Sequence, residues 1–147
     1  MALEMSGSIV LPAERRVVWE ALNDPEVLKA CIPGCEALEK VDETSFEARA
    51  RLKIGPIRAS FKGHVELSEI VPPSGYVITG SGDGGVAGHA SGSARVDLHE
   101  AEDGTQLVYS VESRVGGKIA QLGARLINGV AKRYADEFFT CFAKQIG

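Results

Sequence analysis

From Phe46 to Val115 apolar and polar residues alternate with a period of two, interrupted only by turn signals. Such alternation places successive side chains on opposite faces of an extended chain and so dictates strands. Phe46, Ala48, Ala50, Leu52 and Ile54 alternate with Glu47, Arg49, Arg51 and Lys53. After Gly55-Pro56, one face carries Ile57, Ala59, Phe61, Gly63, Val65 and Leu67. Pro72-Pro73-Ser74-Gly75 marks a turn before a strand from Tyr76 to Ser81, and Asp83-Gly84-Gly85 reads as a hairpin turn. Gly88, Ala90, Gly92, Ala94, Val96 and Leu98 resume the alternation, and Asp103-Gly104 turns the chain into Gln106 to Val115. Connections this short join antiparallel neighbours.

Beyond Gly116-Gly117 the period changes. A proline-free run to Gln145 spaces Ile119, Leu122, Leu126, Val130, Tyr134, Phe138 and Phe142 by threes and fours, which predicts one amphipathic helix. Such a helix is about 40 Å long and can span the sheet. Ahead of the meander, Leu3 to Leu11 reads as a strand, and Pro12 opens a helix that runs to Asn23. Asp24-Pro25-Glu26 starts a second helix, stopped near Ala30 by Ile32-Pro33-Gly34. The order predicts an α+β fold of one domain over residues 1–147. A curved antiparallel sheet wraps around a long C-terminal helix, with two short helices after the first strand.

Composition narrows the function classes. The 147 residues are 44% hydrophobic and 24% charged, as in globular proteins. A net charge of −4 with both signs interspersed argues against a nucleic-acid partner. The first residues lack a secretory pattern, and no window approaches the ~20 apolar residues of a spanning helix. Cys31, Cys35 and Cys141 are too few for a disulfide framework, so the expectation is reduced cysteines in a cytoplasmic protein.

The apolar-alternating face of the middle strands is unusually small, with Gly63, Gly80, Gly82, Gly88, Ala90 and Gly92 where a packed core uses larger residues. Either the helix backbone approaches the sheet closely there, or the missing side chains leave a ligand cavity. The candidate lining adds Phe46, Leu52, Phe61, Tyr76 and Tyr109 from the strands, and Leu122, Leu126, Tyr134 and Phe138 from the helix. Charge is nearly absent from these positions, so the expected ligand is a hydrophobic small molecule.

Other motifs carry less. Gly80-Ser81-Gly82-Asp83-Gly84-Gly85 fits a dinucleotide pattern, but a strand follows where a helix N-terminus is needed. Cys31 and Cys35 with His64, His89 and His99 lack zinc spacing, and the histidines fall on the polar alternation. Glu47, Glu66, Glu69, Asp97 and Glu112 alternate outward, which leaves no acid–base pair and no catalytic residue to name. No cofactor or metal is expected. Arg114, Lys118, Arg125, Lys132 and Arg133 make one side of the last helix and its approach basic.

Two stretches carry a family resemblance. The order Pro12-Ala13-Glu14, Val18-Trp19 and Leu22-Asn23-Asp24-Pro25 resembles the start of START-like, Bet v 1-like (SRPBCC) helix-grip domains. Cys31-Ile32-Pro33-Gly34-Cys35-Glu36 and the glycine-rich stretch from Gly82 to Gly92 are similar to the CoxG proteins of carbon monoxide dehydrogenase. The resemblance covers nearly the whole chain. It implies a seven-stranded sheet gripping the helix, a hydrophobic-ligand cavity, and a non-catalytic accessory role beside a molybdenum hydroxylase. With the small-residue face opposite an aromatic-bearing helix, the leading expectation for the ligand is a quinone- or lipid-like molecule. A cyclase or hydratase of the same superfamily, acting on a polycyclic or polyketide-like substrate, is the rival, and a cavity-free assembly factor the third reading. Peripheral contact with a membrane and pairing with a second copy stay open.

Overall fold

The computed structural model describes residues 1–147. Its strands are β1 (Ala2–Leu11), β2 (Cys35–Asp42), β3 (Ser45–Ile54), β4 (Ile57–Val71), β5 (Gly75–Asp83), β6 (His89–Ala101) and β7 (Gly104–Gly116). They form one antiparallel sheet in the order β1-β7-β6-β5-β4-β3-β2. Helices α1 (Arg15–Leu22) and α2 (Pro25–Cys31) fill the crossover from β1 to β2, and α3 (Ala124–Ile146) lies on the concave face. This is the helix-grip, Bet v 1-like fold.

Local chemistry sets the element ends. The Asp24 carboxylate accepts from the Glu26 amide at 3.0 Å and caps α2, with Pro25 in the first turn. Helix α1 begins at Arg15, later than the Pro12 start read from the sequence. Residues 12–14 are committed elsewhere: the Ala13 amide donates to the Leu11 carbonyl, and the Ala13 carbonyl accepts from the buried Thr105 hydroxyl at 2.7 Å.

The last helix is shorter than expected. Residues Lys118–Leu122 form a 3-10 turn, and Gly123, at φ +90°, breaks the path before α3 starts. A side chain at Gly123 would be strained in that left-handed backbone, so glycine ends one segment and opens the next. The 23 residues of α3 span about 34 Å. The hairpin expected at Asp83-Gly84-Gly85 also differs. A 3-10 turn over Gly85–Ala87 separates β5 from β6, held by the Asp83 carboxylate accepting from the Gly85 amide at 2.8 Å.

The cysteine expectation is corrected too. Cys31, at the end of α2, is joined to Cys141 of α3 by a disulfide, with Cα atoms 5.3 Å apart. Cys35 is the free thiol, and burial pushes its pKa up. With the bonded cysteines 110 positions apart in sequence, no local spacing signals their pairing.

Two apolar cores result. The larger gathers Leu11, Val18, Trp19, Leu22, Phe46, Tyr76, Val96, Leu98, Leu107 and Phe142 where α1, α2 and the end of α3 meet the sheet. The smaller joins Leu3, Phe61, Ala87, Val115 and Ile119 at the opposite end. No helix is long and apolar enough to cross a membrane.

Candidate ligand cavity

Strand register explains where the sheet is bare. One row across the concave face reads Ala48, Gly63, Gly82, Ala90 and Val115, and the next reads Phe46, Val65, Gly80, Gly92 and Ser113. Small residues therefore cluster as a patch two rows deep between the two cores. A Cβ built on Gly63, Gly80 or Gly82 would meet only atoms of neighbouring strands within 4 Å, none of them from α3. The helix backbone does not press on the patch. Space lies above it, about 290 Å³ bordered by Ile78, Gly80, Gly82, Ala90, Gly92, Ala94, Val111 and Ser113.

A deeper cavity of about 260 Å³ adjoins this space at Ile78. Leu22 of α1, Leu28 of α2 and Ile32 after it form one wall, and Phe138 and Phe139 of α3 another. The sheet supplies Leu38, Phe46, Val65, Leu67, Tyr76, Ile78, Val96, Leu107 and Tyr109. Every lining residue is hydrophobic. The aromatic walls brace one another: Phe138 meets Phe139 edge-on at 5.2 Å, Phe139 stacks on Tyr109 at 5.6 Å, and Trp19 holds Tyr76 at 5.2 Å. Tyr76 is 4% exposed, and burial raises its phenol pKa above the ordinary value.

Of the residues named from sequence, Phe46, Tyr76, Tyr109 and Phe138 line the deep cavity, and Gly80, Gly82, Ala90 and Gly92 the space beside it. Gly63 belongs to the bare patch. Leu52 and Phe61 pack into the smaller core instead. Gly88 lines neither space: it sits at φ +126°, where a Cβ would strike the Gly116 carbonyl. Leu126 is 37% exposed and covers Gly55 at the β3–β4 turn, with Leu122 beside it. The Tyr134 hydroxyl is spent on the protein: it donates to the Lys53 carbonyl at 2.7 Å. Leu122, Leu126 and Tyr134 share the helical stripe, but they meet the sheet near the β3–β4 turn, with the path broken at Gly123 between Leu122 and α3.

The lining missed from sequence includes Ile32, Leu38, Val65 and Phe139. Val65 stands on the same alternating face as Phe61 and Gly63, so the strand period held its signal. Ile32 and Leu38 lie on either side of a proline–glycine stop, where no period extends. No three His, Cys, Asp or Glu side chains gather in a cluster fit for a metal ion. On the basic side of α3, Lys132 pairs with Asp136 at 3.4 Å and Arg133 lies over the Tyr134 ring at 5.6 Å.

The family model for the CoxG subunit of carbon monoxide dehydrogenase matches residues 7–147. A crystal structure of a conserved protein from Geobacillus kaustophilus is 35% identical, with a TM-score of 0.92 over 98% of this chain and 95% of that one. The Zhui aromatase/cyclase from Streptomyces sp. R1128 is 14% identical, with a TM-score of 0.71 over 99% and 94%. Ara h 8.0201 is 14% identical, with a TM-score of 0.69 over 99% and 98%. No curated protein matches.

Proposed function

The chain belongs to the CoxG family of carbon monoxide dehydrogenase subunits, and we propose that it is a non-catalytic binding module that holds a lipophilic, quinone- or lipid-like molecule beneath α3. The observation that carries this reading is the all-hydrophobic cavity beside a glycine patch that the helix leaves uncovered. Transfer of apolar ligand surface into such a lining gains about 25 cal/mol per Å². A charged metabolite would lose its hydration there with nothing to replace it.

The family suggests the partner, a molybdenum-containing hydroxylase of the carbon monoxide dehydrogenase type, which this chain would serve without holding a redox centre itself. Against the cyclase rival stands the lining itself, which offers two tyrosine hydroxyls and no carboxylate or imidazole for acid–base work. A cytoplasmic setting goes with the accessory role. The Cys31–Cys141 bond then has to survive a reducing compartment, and thiol trapping in freshly lysed cells tests that setting.

Native mass spectrometry of gently purified protein tests the binding role. An apolar small molecule should co-purify, and quinone analogues should raise the melting temperature. A protein that carries nothing and responds to no quinone analogue would end this reading.

A further inference from the structure

We propose that the Tyr76 hydroxyl is the polar anchor of the cavity, and that the ligand is an apolar molecule bearing a hydrogen-bond acceptor oxygen of the ketone or quinone carbonyl type. The proposal rests on the binding reading above and adds to it one residue and one chemical requirement. Tyr76 projects from β5 into the concave face, 4% exposed, with its ring held 5.2 Å from that of Trp19. Among the tyrosines, Tyr134 alone spends its hydroxyl on the protein, in bonds to the Lys53 backbone.

The enclosed side-chain polar atom without a partner is Arg15 Nε, so the Tyr76 hydroxyl is not sealed in packed protein. Tyr76 lines the apolar cavity, so that cavity is where a partner for its hydroxyl would sit. Buried tyrosine hydroxyls ordinarily find a partner, because burial strips away their water. Here a ligand is left to supply it. Tyr109 lines the same cavity, but its hydroxyl lies against β1, 2.6 Å from where a Cβ on Gly7 would stand. Burial keeps the Tyr76 phenol protonated, so the group has a proton to give and favours an acceptor.

Fluorenone and fluorene share a fused-ring frame and differ at the carbonyl, which makes them the probes. Titration calorimetry on the wild type should show about tenfold tighter binding of fluorenone, the worth of one hydrogen bond. Tyr76→Phe should bind both equally, with fluorene affinity unchanged. Without ligand, the variant should melt no lower than the wild type, since it loses a hydroxyl that has no protein partner. A variant that melts lower, or that still prefers fluorenone, overturns the anchor. So does a wild type that binds fluorene equally well, although the cavity reading then survives. If neither probe binds, the anchor and the binding role fall together.

Discussion

The Tyr134 hydroxyl faces the backbone of Lys53, donating to its carbonyl at 2.7 Å and accepting from its amide at 3.0 Å. Strand β2 pairs with β3 only as far as Cys35 opposite Ala50. Beyond that point the outer edge of β3 lacks a partner strand, and an open edge invites unwanted pairing. The Gly34 carbonyl accepts from the Arg51 amide at 2.9 Å, and Tyr134 serves the next position outward. A side chain from α3 thus completes the sheet and ties the helix to the outer edge of β3.

Tyr134→Phe should therefore destabilise the fold by about 1 kcal/mol, lowering the melting temperature by roughly 2–4 °C. Hydrogen exchange at the Lys53 amide should quicken selectively. Unchanged exchange there would show that the hydroxyl does not hold the edge.

The disulfide joins the two walls of the deep cavity, since Cys31 adjoins Ile32 and Cys141 lies one helical turn from Phe138. It closes a loop of 110 residues, which restricts the unfolded chain. Reduction, or Cys141→Ser, should cost about 2–4 kcal/mol in denaturant unfolding. Thiol titration of the denatured oxidised protein should find Cys35 alone, and all three cysteines after reduction. Equal midpoints with and without reductant would show that the bond adds no stability.

Gly80 and Gly88 look alike in the sequence, and the structure separates them. A Cβ on Gly80 meets the His64 carbonyl and Val65 at 3.5 Å, an ordinary contact, whereas Gly88 sits at φ +126° against the Gly116 carbonyl. Gly80→Val should change stability by no more than about 1 kcal/mol, suit the strand and fill part of the space. It should weaken binding of an apolar probe. Gly88→Ala should instead destabilise by about 1–3 kcal/mol. The paired experiment is thermal melting with probe titration, and equal melting losses for the two variants would refute the distinction.

The same pair shows what the sequence can and cannot carry. Alternation from Phe46 to Val115 is enough for strands, faces and the small-residue patch, because each turn leaves glycine, proline or aspartate as a marker. The cap at Asp24 is equally legible. What period alone does not encode is where an element stops being regular. Gly88 continues the alternation on paper but occupies a 3-10 exit, and Gly123 falls inside the run expected to be one helix although it separates two segments. A helical stripe does not reveal which stretch of sheet each residue meets, so Leu122 and Tyr134 read as cavity residues although they lie at the sheet end. The Cys31–Cys141 pairing and the Tyr134–Lys53 contact depend on chain segments far apart in sequence, and only the closed fold brings them together.

Tyr76 also gives the fold a pH dependence with a definite sign. Burial raises its phenol pKa above the ordinary 10, so the folded protein holds that proton more tightly than the unfolded chain. Below pH ~10 both states keep the proton, and the group contributes no slope. Above it the unfolded chain ionises first, and stability falls by at most about 1.4 kcal/mol per pH unit until the folded phenol also ionises. Wild type and Tyr76→Phe should therefore melt within a few degrees of each other near pH ~8, and the wild type should lose more by pH ~11. Other tyrosines and lysines titrate in the same range, and the difference between the two proteins isolates Tyr76 from them. Parallel melting curves across the interval would mean that the hydroxyl is open to bulk water. A bound acceptor ligand should carry the wild-type loss to still higher pH at the same slope, because its hydrogen bond holds the proton on the folded phenol.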